Sequence, residues 1–451
     1  MPCSILILGG YRLKRVLLMA MVFLMLTGCE ALTFSVDKLL KAPNIADEQA
    51  AIHQALIEST GRSITLAYPR NGDYLSAFVI RDIDGDETDE ALVFYTPSGF
   101  VSEQNVRIAV LDKDSDGKWH AMYELAGNGT SIDTVRVSEY EGATDIIIGY
   151  GTALYDENRV SIYRYKNGVL ASIFDGTYTM LDLIDIDSCG DDEIVTIKKL
   201  GTDVTVSAIK TKDAFISEVK LSASASAISG FKFGKLMKDA PALFVDVVDE
   251  TASLVTEVVT MSDGRLCVLS QENQLPVYLT RRSQGYKSMD FDGDGIVEVP
   301  VLTSFMGYAD FMYEPEFMTI WTAYDPQTGA FRHKSSSYYS PESGYVFKLP
   351  NRWVNFVTVI KDKQTKEITF VKYDAAIESI SDMQKLISIA VVDRQNVGSY
   401  MNNGYNVVKS GSDSAIMVKT HADIDEPLML TSDEISSNIY KVEKSSDIII
   451  P

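Results

Sequence analysis

An acidic nine-residue segment occurs three times in this chain, each time just ahead of an apolar run. The copies are Asp82-Ile-Asp-Gly-Asp-Glu-Thr-Asp-Glu90, Asp185-Ile-Asp-Ser-Cys-Gly-Asp-Asp-Glu193 and Asp290-Phe-Asp-Gly-Asp-Gly-Ile-Val-Glu298. Their first residues lie 103 and 105 positions apart, which is two periods of about fifty. Each gap holds the same strand–loop–strand shape without the acidic loop, at 134–148 and at 231–245. Five units therefore begin near 76, 130, 178, 228 and 285. Each has room for four strands, expected in the first unit at 78–81, 91–95, 106–111 and 120–125. A lone four-stranded sheet cannot bury both faces, whereas radial stacking of such sheets can. The pattern predicts a mainly β chain: a β-propeller of about five four-stranded blades over 74–340, with room for a sixth, diverged blade.

Other patterns flank this array. Residues 44–61 read as a helix, with Asn44 as N-cap, Ile45, Ile52 and Leu56 on one face and Gly61 closing it. After Ser343 the repeat stops, and 342–451 are expected to form a small α+β domain. Its elements are hairpins at 356–360/367–372 and 405–409/415–420, a buried strand at 386–392, and a short helix capped by Ser432 and running through Tyr440.

The acidic loops carry the clearest chemistry. In the first, Asp82, Asp84 and Asp86 stand at positions 1, 3 and 5, the Thr88 carbonyl at 7 and Glu90 at 9. Alternate residues of a tight turn converge, and oxygen ligands in flexible geometry suit Ca²⁺. Asp290, Asp292, Asp294, the Ile296 carbonyl and Glu298 repeat the set. The middle loop offers Asp185, Asp187, Asp191 and Glu193 but puts Cys189 at position 5, a soft ligand for a hard cation. Two structural calcium ions are expected, with the middle loop weaker. These loops in a strand context resemble the FG-GAP/VCBS repeats of integrin α-chain propellers and bacterial surface proteins. The resemblance covers roughly 74–340 and implies a calcium-loop propeller. The chain departs from it at Glu87, where the family has Gly, and at Cys189. Asp112-Lys-Asp-Ser-Asp-Gly117 begins like such a loop, but its ninth position is His120, and it is read as a hairpin turn.

The N-terminus reads as an address. Arg12, Lys14 and Arg15 precede the apolar run 16–26 and then Leu26-Thr-Gly-Cys29. This resembles the lipobox of bacterial lipoproteins, which implies a signal peptide at 1–28, acylation (palmitate included) of Cys29, and a tether at 29–43. The expected location is the extracytoplasmic face of a bacterial membrane, at the cell surface, held by the lipid anchor. Asp and Glu number 63 against 41 Lys and Arg, for a net charge of −22. So acidic a chain is a poor nucleic-acid binder, because neutralising phosphates takes Lys and Arg. Cys189 and Cys267 are read as free thiols. The aromatics of 305–345, among them Phe305, Tyr308, Trp321, Tyr338 and Tyr339, are read as blade packing in preference to a stacking platform. The sequence contains no His-Glu-x-x-His, Gly-x-Ser-x-Gly or P-loop motif. The leading expectation is a non-enzymatic, calcium-stabilised binding module for a protein or glycan ligand. The alternatives are a carboxylate-based envelope hydrolase or lyase acting on a surface polymer, and a structural subunit of an envelope complex.

Overall fold

The computed structural model describes residues 44–98, 106–140, 143–152, 157–166, 169–211, 215–269, 277–308, 316–421 and 426–444. The leader, Cys29 and the tether lie outside the described residues. The chain divides into two compact units: 1–135 with 164–171, and 136–163 with 172–451. Both are mainly β.

In the first unit, helix α1 (Asn44–Thr60) ends at Gly61, whose φ of 60° lets its amide reach back to the Ile57 carbonyl at 2.9 Å. The adjoining sheet runs Ile64–Leu66, Glu90–Pro97, Arg107–Lys113, Trp119–Ala126, with Phe78–Arg81 beside the first half of Glu90–Pro97. All four strands expected here are present. Glu90–Pro97 is buried on both faces over its first six residues, which is why it reads as a continuous apolar run. Ile52 and Leu56 of the helix pack on Ala91, Val93, Tyr95, Leu111 and Trp119. The pseudo-loop 112–117 is a turn, closed by Gly117 N–H to the Asp114 carbonyl at 2.8 Å. His120 bonds the Asp114 carboxylate at 2.7 Å.

In the second unit, two four-stranded antiparallel sheets follow one another: Met180–Ile184, Glu193–Leu200, Asp203–Lys210, Phe215–Lys220, then Ala227–Met237, Ala240–Val248, Leu254–Ser262, Arg265–Val268. Next comes a five-stranded sheet, Val299–Ser304, Phe317–Asp325, Ala330–Ser340, Tyr345–Lys348, Ile439–Lys441, and a last one, Val357–Lys361, Ile368–Lys372, Lys385–Asp393, Ser414–Thr420, Asn406–Ser410. Successive sheets share buried side chains. Val195 and Val206 meet Leu243 and Val255, Phe244 and Val258 meet Val297 and Val299, and Phe347 meets Trp353 and Phe370. Each sheet thus has an apolar layer on the face it turns to its neighbour, which is what lets four strands hold together.

Two details differ from expectation. Residues 340–344, read as a boundary, are the turn of a hairpin: Ser340 pairs with Tyr345, and Gly344 (φ 72°) donates to the Ser340 carbonyl at 2.9 Å. The helix near 432 spans Ser432–Ser437 with Thr431 as N-cap, and Ile439–Lys441 is a strand. Thr431 and Glu434 form a reciprocal capping box, a Thr-x-x-Glu pattern that starts one residue before Ser432. Of the 305–345 aromatics, Phe305, Trp321, Tyr338 and Tyr339 are buried, Trp321 stacked on Phe291 at 4.6 Å; further on, Trp353 lies 5.3 Å from Phe370.

One buried network was invisible in the sequence. Arg282 reaches Asp246 at 2.9 Å, the Thr256 hydroxyl at 2.8 Å and the Thr280 carbonyl at 2.9 Å, with both charged side chains almost fully buried. Asp246 also accepts from the Ser288 amide at 2.7 Å and the Thr256 hydroxyl at 2.6 Å.

Candidate metal centre

The three acidic loops fold alike although their sequences differ. In each, the residues at positions 4 and 6 take left-handed backbone: φ is 83° and 70° at Gly85 and Glu87, 58° and 96° at Ser188 and Gly190, 77° and 85° at Gly293 and Gly295. Glu87 and Ser188 hold this conformation with a Cβ, which costs about 1 kcal/mol each. Position 2 is a buried anchor: Ile83, Ile186 or Phe291. Position 1 binds the loop's own amides. Asp82 accepts from Gly85 and Glu87 at 2.6 and 3.0 Å, Asp185 from Cys189 and Gly190 at 3.0 and 3.1 Å, and Asp290 from Gly293 and Gly295 at 2.7 and 2.8 Å.

Positions 3 and 5 converge with position 1, as expected. Oxygens of Asp82, Asp84 and Asp86 lie within 4.8 Å of one another, as do those of Asp290, Asp292, Asp294 and Glu298, and the ligand atoms of Asp185, Asp187 and Cys189. Asp191, read as a fourth ligand of the middle loop, contributes no carboxylate to that group; its carbonyl accepts from the Cys189 thiol at 3.7 Å. Thr88 and Ile296 donate their amides to Asp86 and Asp294 at 2.8 and 2.9 Å. Cys189 and Cys267 are free thiols.

The position-9 glutamate separates the loops. Each is buried, and each uses Oε2 in the same way, accepting from the position-2 amide: Ile83 to Glu90 at 2.8 Å, Ile186 to Glu193 at 3.0 Å, Phe291 to Glu298 at 3.3 Å. The other oxygen differs. Glu193 Oε1 is 3.2 Å from the Lys210 ammonium, and Glu298 Oε1 is in hydrogen-bond contact with that of Lys334. Glu90 Oε1 is buried with no partner. Glu90 is only 1% exposed. Its carboxyl is pushed up to about 7, first by burial and then by the charges of Asp84, Asp112 and Asp86.

Strand register explains the contrast. Ala91 pairs with Leu111 and Ile194 with Ile209, so the next residues along, Asp112 and Lys210, come opposite Glu90 and Glu193. Val299 pairs with Thr322, which brings Ala323 opposite Glu298. Lys334 comes from the following strand, as the extra residue between the pairs Trp321↔Ser335 and Thr322↔His333. It also meets Asp294 at 2.7 Å and Asp292 at 3.3 Å, while Lys348 stands 3.5 Å from Asp292. Burial opposes its charge, but Asp294 and Glu298 raise its pKa above the ordinary value. The Lys210 pKa is raised mainly by Asp187, which it also contacts.

The first loop therefore fits a hard divalent cation: three converging carboxylates and a buried glutamate oxygen that nothing neutralises. The second and third do not fit one as they stand, because their buried glutamate oxygens already hold an ammonium. Sequence reading missed Asp112, Lys210 and Lys334. The first two could have been found by aligning 106–112 with 204–210, while Lys334 depends on a bulge that no local pattern announces.

No family model matches the chain, and no curated protein matches it. Solved structures similar to it include a GH43 β-1,3-galactosidase with galactodeoxynojirimycin (10% identity, TM-score 0.23, 60% of this chain and 97% of that one). Others are a Bombyx mori GH32 β-fructofuranosidase mutant in complex with sucrose (10%, 0.22, 63% and 68%) and a GH43 endo-arabinanase from Bacillus licheniformis (12%, 0.21, 60% and 97%).

Proposed function

We propose that the chain is a lipid-anchored extracytoplasmic protein whose β-propeller, stabilised by calcium, acts as a binding module for a protein or glycan. The observation that carries the calcium part is Glu90 Oε1, buried and unpartnered beside Asp84, Asp86 and Asp112. The propeller reading is supported by the succession of four- and five-stranded sheets, each packed on the next within the second unit. A binding role is supported over carboxylate hydrolysis by where the perturbed carboxyls lie. Those with raised pKa among the described residues, Asp84, Glu90, Glu193 and Glu298, all belong to the loops. The buried Asp246 and Glu257 are bound up elsewhere, Glu257 by Ser222 and Ala223.

The test uses the mature chain in detergent, with calcium and with EDTA, in a melting curve and in a pull-down from solubilised envelope. Calcium at millimolar level should add about 1 kcal/mol per site, a rise of roughly 2 °C, lost in Asp84→Ala. A partner should be retained in calcium and reduced in EDTA. Identical melting and identical eluates in both conditions would overturn the reading.

The anchor has its own test. Labelled palmitate should enter the wild-type chain, while Cys29→Ala should lose the label and leave the membrane fraction. Equal labelling of both would remove lipidation from the reading.

A further inference from the structure

We infer that Lys210 and Lys334 are the resident cations of the second and third loops, and that the chain binds one divalent ion, in the first loop, where Asp112 takes the lysine's place as a further ligand. The inference rests on the calcium reading of the first loop and departs from the expectation of ions in both the first and third loops.

The three loops are built as one device with one variable part. Their backbone, position-1 carboxylate, buried position-2 anchor and the Oε2 bond of the position-9 glutamate are common to all. What varies is the positive charge delivered to Oε1. In the third loop Lys334 bonds Asp292, Asp294 and Glu298, the same oxygens a divalent ion would need. In the second, Lys210 bonds Asp187 and Glu193. An ammonium and a divalent cation repel at such range, so each loop holds one or the other. The ammonium is tethered, so its effective concentration reaches the millimolar range at which calcium modules of this kind half-saturate.

In the first loop the corresponding strand position is acidic. Asp112 adds a fifth carboxylate to those of Asp82, Asp84, Asp86 and Glu90. The adjacent Lys113 is committed elsewhere: its ammonium is 2.9 Å from Glu48 on α1 and 4.4 Å from the centre of the Trp119 ring. Asp82, Asp84 and Asp86 converge, the charges of Asp84, Asp86 and Asp112 bear on Glu90, and its buried Oε1 has no ammonium partner, so this group calls for an external cation.

The experiment is calorimetric titration of the full mature chain with calcium chloride. Wild type should bind one ion, Asp112→Asn should bind it several-fold more weakly, and Lys334→Gln should bind two. Two ions in the wild type, or one in the wild type and still only one in a folded Lys334→Gln chain, would overturn the inference. None in the wild type but one in Lys334→Gln would keep the lysine assignment and reject the calcium reading of the first loop, whereas none in either rejects both. Should Lys334→Gln fold only when calcium is present, that rescue supports the inference. Should it fail in both conditions, the wild-type chain decides, through reductive methylation of its lysines read by mass spectrometry. Lys334 should stay equally protected with and without calcium, and exposure on adding calcium would show an ion displacing it.

Discussion

Arg282→Ala should destabilise the second unit by about 3–5 kcal/mol in urea denaturation, because it leaves the Asp246 carboxylate buried without its counter-charge. The Arg282 side chain is 0% exposed and that of Asp246 4%. The guanidinium also joins Thr256 and Ser288 to the Thr280 carbonyl, so its loss strands several buried groups at once. Asp246→Asn should cost less, since an amide still accepts the Ser288 amide. Substituting both residues by apolar ones of similar volume should recover much of the loss, because burying a paired charge gains little over good packing. A drop below about 1 kcal/mol for Arg282→Ala would mean that water reaches the site and screens Asp246.

Trp353→Ala should cost about 3–5 kcal/mol, the range for deleting a buried aromatic. Trp353 is fully buried between Phe347 and Phe370, with its indole N–H on the Leu428 carbonyl at 2.6 Å. Phe347 belongs to the five-stranded sheet that begins at Val299–Ser304 and Phe370 to the last sheet. The variant should therefore melt both sheets together, in one shifted transition. Two separate transitions would show that the last sheet folds apart from the one before it.

The sequence was most legible where a local pattern repeats. The helix at 44–60, the four strands of the first unit, the hairpins near 357–372 and 406–420 and the converging positions 1, 3 and 5 of each loop all rest on short-range periodicity or turn chemistry. What escaped depends on register between distant strands. Whether Glu90 or Glu298 meets a cation is decided by residues 22 and 36 positions away, Asp112 and Lys334, and in the second case by a bulge. The expected boundary at 340–344 falls on a hairpin turn for a related reason. A Ser-Pro-Glu-Ser turn looks the same between domains as within a hairpin, and only the pairing of Ser340 with Tyr345 distinguishes them. Arg282 and Asp246, 36 residues apart, carry no local signal either.

The two lysines reach equivalent glutamates by different routes. Lysines common to both loops would stand at the same strand position in each. They do not: Lys210 lies on the strand paired with that of Glu193, whereas Lys334 lies one strand further out, displaced by a bulge, while Ala323 occupies the position of Lys210. The acidic loop is thus the part the copies share, and the ammonium reaches it by a route particular to each. In the first loop the strand position of Lys210 is filled by Asp112, so that copy has an acid where its neighbour has a base.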